Sequence, residues 1–189
     1  MNAEKREYSN MATSSLGSVT SSEDIRSIFV TGVRNAHALE KEAIQILSRQ
    51  LDRLENDPEM EAIVRRHLEE SKQHEQRIDE VLDGLGTDRS VLKDLATQFM
   101  GNMAALAHAP AGDEILKNTF ANHAFENFEI AAYKSLIVMA EAAGETRFVS
   151  ALQQNLREDE NAARMIAEQV EPITRKYLAR ASSGAKADR

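Results

Sequence analysis

Residues 115–140, ILKNTFANHAFENFEIAAYKSLIVMA, decide the fold. No proline or glycine interrupts them. Read at helical spacings of three and four, they form one stripe of Ile115, Thr119, His123, Glu126, Glu129, Tyr133, Ile137 and Ala140. The stripe is apolar at its two ends, and two glutamates one turn apart hold its middle. A carboxylate on an inward face is costly unless it is paired, protonated or bound to a cation.

Working outward, the same anomaly recurs three times. Upstream, Ile25, Phe29, Val33, Ala36, Glu40, Ala43, Leu47, Leu51 and Leu54 form a stripe broken only by Glu40. Next come Met60, Ile63, His67, Glu70, His74, Ile78, Val81 and Leu85, in which Glu70 and His74 stand four apart and reach one point. Downstream, Phe148, Leu152, Asn155, Glu158, Ala162, Ile166 and Val170 carry Glu158, with Asp159 flanking the stripe.

The punctuation between these stripes divides the chain into four long helices. The first starts at Ser22, with Glu23 and Asp24 at the positive end of its dipole, and runs to about Glu55. Asn56-Asp57-Pro58 breaks it and caps the second, which runs from Pro58 to about Asp83 and is stopped by Gly84 and Gly86. A middle section, residues 88–109, holds a shorter amphipathic helix around Val91 to Leu106. The third helix runs from Asp113 to about Ala143, and the fourth from Glu145 to about Leu178, with Pro172 expected to kink its last turns. Short breaks make two antiparallel hairpins, and the middle section joins them as a crossover. The expected fold is all-α: a ferritin-like antiparallel four-helix bundle, with one crossover segment containing a short helix. Residues 1–21 read as a disordered arm, 22–180 as the bundle and 181–189 as a flexible tail.

Composition agrees. Ala, Glu, Leu, Arg and Gln dominate, with three prolines and eight glycines among 189 residues. The absence of cysteine excludes disulfides and thiolate metal sites. A net charge of −8 argues against non-specific nucleic-acid binding, which needs clustered cations. No apolar run is long enough to span a membrane, and no signal-peptide core opens the chain. A cytoplasmic location is the expectation.

Glu40, Glu70, Glu126 and Glu158 all fall near the midpoints of their helices. In an antiparallel bundle, midpoints meet at one level. Repulsion forbids such a layer as bare charges, and divalent cations resolve it. Glu129 and His74 are further candidate ligands, and two divalent ions are expected to share the layer. His37, His67 and His123 each precede a proposed ligand by one turn and read as its supports. Tyr133 reads as a core or supporting hydroxyl, and Asp159 as a surface or supporting carboxylate. The competing reading is a structural layer of protonated carboxylates bonded to His67, His74, His123 and Tyr133.

Four segments carry a resemblance to a known family: Ala38-Leu39-Glu40-Lys41, His67-Leu68-Glu69-Glu70-Ser71, Glu126-Asn127-Phe128-Glu129-Ile130-Ala131-Ala132-Tyr133, and Leu156-Arg157-Glu158-Asp159-Glu160. From about Glu23 to Leu178 the chain resembles the YciE/YciF-type ferritin-like stress proteins. The resemblance implies a di-iron or other dinuclear site and a homodimer. It implies ligation by Glu40, Glu70, Glu126, Glu129 and Glu158. The usual Glu-x-x-His motif is missing from the second and fourth helices, which implies an oxygen-rich or asymmetric site.

Two functions follow as expectations. One is a metal-dependent stress protein that oxidises Fe(II) or reduces oxygen or peroxide. The other is a non-enzymatic interaction protein on the same scaffold, with a structural carboxylate layer. Phe125, Phe128, Leu136 and Met139 are expected to face outward, under the crossover or at a homodimer contact.

Overall fold

A computed structural model describes residues 22–87 and 112–187. Among them the chain forms four long helices: α1 (Ser22–Leu51), α2 (Pro58–Gly84), α3 (Glu114–Ala142) and α4 (Val149–Ser182), with a 3-10 turn at Thr146–Phe148 before α4. The expected arm, crossover helix and last two residues of the tail lie outside the described residues.

Local chemistry sets the ends of the helices. Asp57 caps α2 by accepting from the Met60 amide at 3.2 Å, and Pro58 fills the first helical position. Gly86 and Gly144 take φ of 66° and 74°, a conformation that side chains resist, and so turn the chain out of α2 and α3. Gly84, expected as a stop, is instead the last residue of α2. The chain also remains helical for ten residues beyond Pro172, whose ring costs one backbone hydrogen bond without ending α4.

Cross-helix pairs give the topology. Arg53 near the end of α1 grips Glu114 at the start of α3 through two bonds of 2.6 Å. Arg26 near the start of α1 reaches Glu145, just past α3, at 2.9 Å. Lys176 of α4 bonds Asp57 and Glu59 at the start of α2. Each of these pairs joins opposite ends, so α1 runs antiparallel to α3 and α2 antiparallel to α4. The connection from α2 to α3 therefore joins opposite ends of the bundle. That is the connectivity of a four-helix bundle with one long crossover.

The interior is apolar at both ends. One cluster holds Phe29, Val33, Ile78, Val81, Leu82, Leu136, Ala140 and Leu152, and the other Leu47, Met60, Ile63, Val64, Phe125, Ile166 and Ile173. At Gly32 an added Cβ would lie 2.7 Å from the Leu136 side chain, so α1 and α3 approach closely there. Between the two clusters lies a polar layer of Glu40, His67, Ser71, His74, Glu126, Glu129, Asn155 and Asp159, each no more than 1% exposed.

Phe125 and Leu136 are buried in the core rather than outward-facing. The large apolar residues left exposed on α3 are Phe120, Phe128 and Val138.

Candidate metal centre

Each helix contributes to the layer, α1, α2 and α3 from near their midpoints and α4 from its first half. α1 supplies Glu40, α2 supplies His67 and His74 two turns apart, α3 supplies Glu126 and Glu129, and α4 supplies Asp159. Donor atoms of His67, Glu126, Glu129 and Asp159 lie within 4.8 Å of one another. His67 Nε2 is 2.8 Å from Glu126 Oε1. A second grouping adjoins it: His74 Nδ1 lies 3.4 Å from Glu40 Oε1 and 3.3 Å from Asp159 Oδ1. Asp159 thus belongs to both.

Of the sequence candidates, Glu40, His74, Glu126 and Glu129 are brought into the layer. Glu70 and Glu158 stand at its rim, with side chains 20% and 25% exposed. Each lies one residue short of the buried spine. On α4 the spine runs Leu152, Asn155, Asp159, Ala162, Ile166, so Asp159 takes the interior place expected for Glu158. On α2, Ser71 takes the place beside Glu70. The expectation of Asp159 as a surface or supporting carboxylate is corrected on its surface half: the residue is fully buried. On α3, Asn122 is buried at the spine, while His123 is only half-buried and meets the Ala163 carbonyl at 3.2 Å. His37 faces Asp79 of α2 at 3.0 Å rather than the layer.

The rim residues are tied down. Arg77 donates to Glu158 at 2.6 and 3.3 Å, Gln154 donates to Glu158 at 3.1 Å, and His74 Nε2 meets Glu158 Oε2 at 2.8 Å. Tyr133 donates to Glu40 Oε1 and accepts from Asn155 Nδ2 at 2.8 Å. The inner oxygens are not tied down in this way. Both oxygens of Glu129 and of Asp159, and Glu40 Oε2 and Glu126 Oε2, are buried without a hydrogen-bond donor. Acceptors held like this, out of water, call for cations.

The electrostatics say the same. Burial, with Glu40 and Asp159 beside it, pushes Glu129 well above the carboxylate range. Burial and Glu40 do likewise for Asp159. Burial works against charge on His74, but Glu40 and Glu158 outweigh it and lift its pKa to about 10. His67 is raised for the same reason, with Glu126 outweighing burial. Burial would raise Glu158, yet His74 and Arg77 pull it down to about 2. At Glu129, Asp159, His67 and His74 the layer therefore favours bound protons, and a cation would relieve the same repulsion.

A family model described as "Domain of unknown function (DUF892)" matches residues 24–179. The chain belongs to this family. DUF892 is the YciE/YciF-type family that the four sequence segments resemble. Three solved structures similar to the chain share its fold. A protein from Xanthomonas campestris pv. campestris is 26% identical with a TM-score of 0.70, over 84% of this chain and 99% of that one. YcfI from Rhodopseudomonas palustris is 24% identical with a TM-score of 0.66, over 82% and 96%. The E. coli stress protein YciF is 20% identical with a TM-score of 0.65, over 77% and 94%. The DUF892 match spans all four helices, so every residue of the layer lies within it. Among the described residues no helix is long and apolar enough to cross a membrane.

His67, expected as a support, and Asp159, expected to flank the stripe, both lie inside the layer. The signal for Asp159 was its spacing from Leu152 and Asn155, seven and four residues back on the same face.

Proposed function

We propose that this chain is a dinuclear metal protein that oxidises Fe(II) at the expense of dioxygen or peroxide, with iron or manganese in the polar layer. The observation that carries the reading is the group of His67, Glu126, Glu129 and Asp159 donors within 4.8 Å. The residues fit the cofactor by charge as well. The four buried carboxylates of Glu40, Glu126, Glu129 and Asp159 balance two divalent cations when both histidines are neutral. His67, Glu126 and Glu129 would hold one ion, Glu40 and His74 the other, and Asp159 would be shared. Once bound, the ions supply the redox chemistry. The chain excludes bulk water with its two apolar clusters, and it offers an apolar groove beside Glu126, lined by Ala43, Ile46, Leu47 and Phe125, for a small oxidant.

A cytoplasmic role in stress defence belongs to the same proposal. It draws on the likeness to a protein described as a stress protein.

Anaerobic Fe(II) titration followed by air tests the reading. Uptake of about two ions per chain is expected, followed by oxidation faster than that of free Fe(II). Oxidation no faster than in buffer, or no uptake, rejects it.

One observation favours a second reading, a non-enzymatic interaction protein. Phe120, Phe128 and Val138 leave an apolar strip on the outer face of α3. On either reading this strip is the proposed homodimer contact.

A further inference from the structure

The two buried histidines are built alike. Each turns one ring nitrogen into the layer and the other towards a rim glutamate that an arginine holds. His74 faces Glu40 and Asp159 through Nδ1 and Glu158 through Nε2, and Arg77 grips Glu158. His67 faces Glu126 through Nε2 at 2.8 Å and Glu70 through Nδ1 at 3.5 Å, with Arg66 3.4 Å from Glu70. The first set is the tighter.

Arg77 has a second branch. It donates to Asn155 Oδ1 at 2.7 Å. That bond turns the amide so that its NH2 group faces Tyr133, and Asn155 donates to the Tyr133 oxygen at 2.8 Å. The phenol, already an acceptor, sends its own hydrogen to Glu40 Oε1. One guanidinium therefore controls two groups in the layer, His74 through Glu158 and Glu40 through Asn155 and Tyr133. Both belong to the same proposed ion position.

We propose that Arg77 is the positioning residue for the Glu40–His74 ion and leaves the His67–Glu126 ion to Arg66 and Glu70. The proposal rests on the dinuclear reading above. A carboxylate at Nε2 holds the ring proton there and presents the Nδ1 lone pair to the ion. The Tyr133 bond commits Glu40 Oε1 and leaves the buried Oε2 for coordination. Nη1 alone makes the two short bonds, to Asn155 and to Glu158 Oε2, while Nη2 adds Glu158 Oε1 at 3.3 Å and Gln73 at 3.2 Å, so a lysine ammonium keeps only part of this set.

The test is Mn(II) titration of the full chain, followed by the electron paramagnetic resonance signal of free Mn(II), with Co(II) visible spectra as a second readout. Wild type is expected to bind in two phases. Arg77→Gln should weaken one ion by about 10–100-fold, the usual range for lost orienting contacts, and leave the other within about twofold. Arg77→Lys should fall between, and Arg66→Gln should shift the other phase. Glu158→Gln, which keeps the shape of the side chain, should weaken the same ion as Arg77→Gln and carries the test if that variant does not fold. Equal weakening of both ions, or no change in either variant, overturns the role of Arg77 while leaving the dinuclear centre standing. Absence of Mn(II) and Co(II) uptake by wild type overturns the dinuclear reading and this proposal with it.

Discussion

His67 on α2 and Glu126 on α3 meet at the middle of the bundle, Nε2 to Oε1 at 2.8 Å, with both side chains about 2% exposed. Their helices are not hairpin neighbours, so this contact crosses the core and ties the two hairpins at the layer. It also places a carboxylate beside the others of the layer, where burial removes solvent screening. On the proposed reading the layer trades stability for metal binding, and removing part of it should reveal that.

Glu129→Leu is expected to make the metal-free protein more stable. Both Glu129 oxygens are buried without a donor, and an apolar side chain of similar size removes that cost. The gain should be about 1–3 kcal/mol, by analogy with other buried ionic groups replaced by apolar ones. Urea unfolding in chelator measures it, and the same variant should lose stabilisation by added Mn(II). A less stable metal-free variant would contradict the reading.

Metal uptake should release protons and strengthen as pH rises. Glu129, Asp159, His67 and His74 all hold protons more tightly than usual, and a cation must displace them. Calorimetry in buffers of different ionisation heat detects the release. In chelated protein the signs differ by residue. The folded pKa of Glu158 is depressed to about 2 from 4.5, so its stabilisation is present above pH 4.5 and lost as pH falls through 2. The folded pKa of His74 is raised to about 10 from 6.5, so its stabilisation is full below pH 6.5 and lost as pH rises through 10. The urea midpoint should fall on both sides of that window, and Glu158→Gln should flatten the acid limb.

Gln50 and Asn122 exchange two amide hydrogen bonds, of 2.9 and 2.7 Å, where α1 and α3 are buried together. Either residue changed to Leu strands its partner, at a cost of about 1–3 kcal/mol. The double variant should recover most of that loss, and chemical denaturation of the four proteins gives the coupling directly. Additive losses would show that the pair is not a unit.

Phe128→Glu combined with Phe120→Glu should convert a dimer to monomer without lowering the unfolding midpoint of the monomer. Both rings are about half exposed on one face of α3. Sedimentation over a concentration series checks it, and a monomeric wild type would discard the contact.

The sequence showed the bundle because four stripes kept helical spacing and glycine or proline marked the breaks. It showed the layer because Glu40, His67, His74, Glu126 and Glu129 interrupt otherwise apolar stripes. It misled where the phase was weak. α3 carries apolar residues around most of its circumference, so periodicity could not tell Phe125 inside from Phe128 outside. On α4 two carboxylates are adjacent, and a turn of about 100° separates Glu158 at the rim from Asp159 inside. Spacing from Leu152 and Asn155 favours Asp159, and packing against α2, where Arg77 takes Glu158, settles it. The Arg77–Asn155–Tyr133 chain was invisible because its members come from three helices.

Two ions in one layer would be visible by anomalous scattering in a crystal of the protein grown with Mn(II). Two peaks are expected between the apolar clusters, one at His67, Glu126 and Glu129 and the other at Glu40 and His74, with Asp159 beside both. A metal-soaked crystal with no anomalous peak inside the bundle would contradict it.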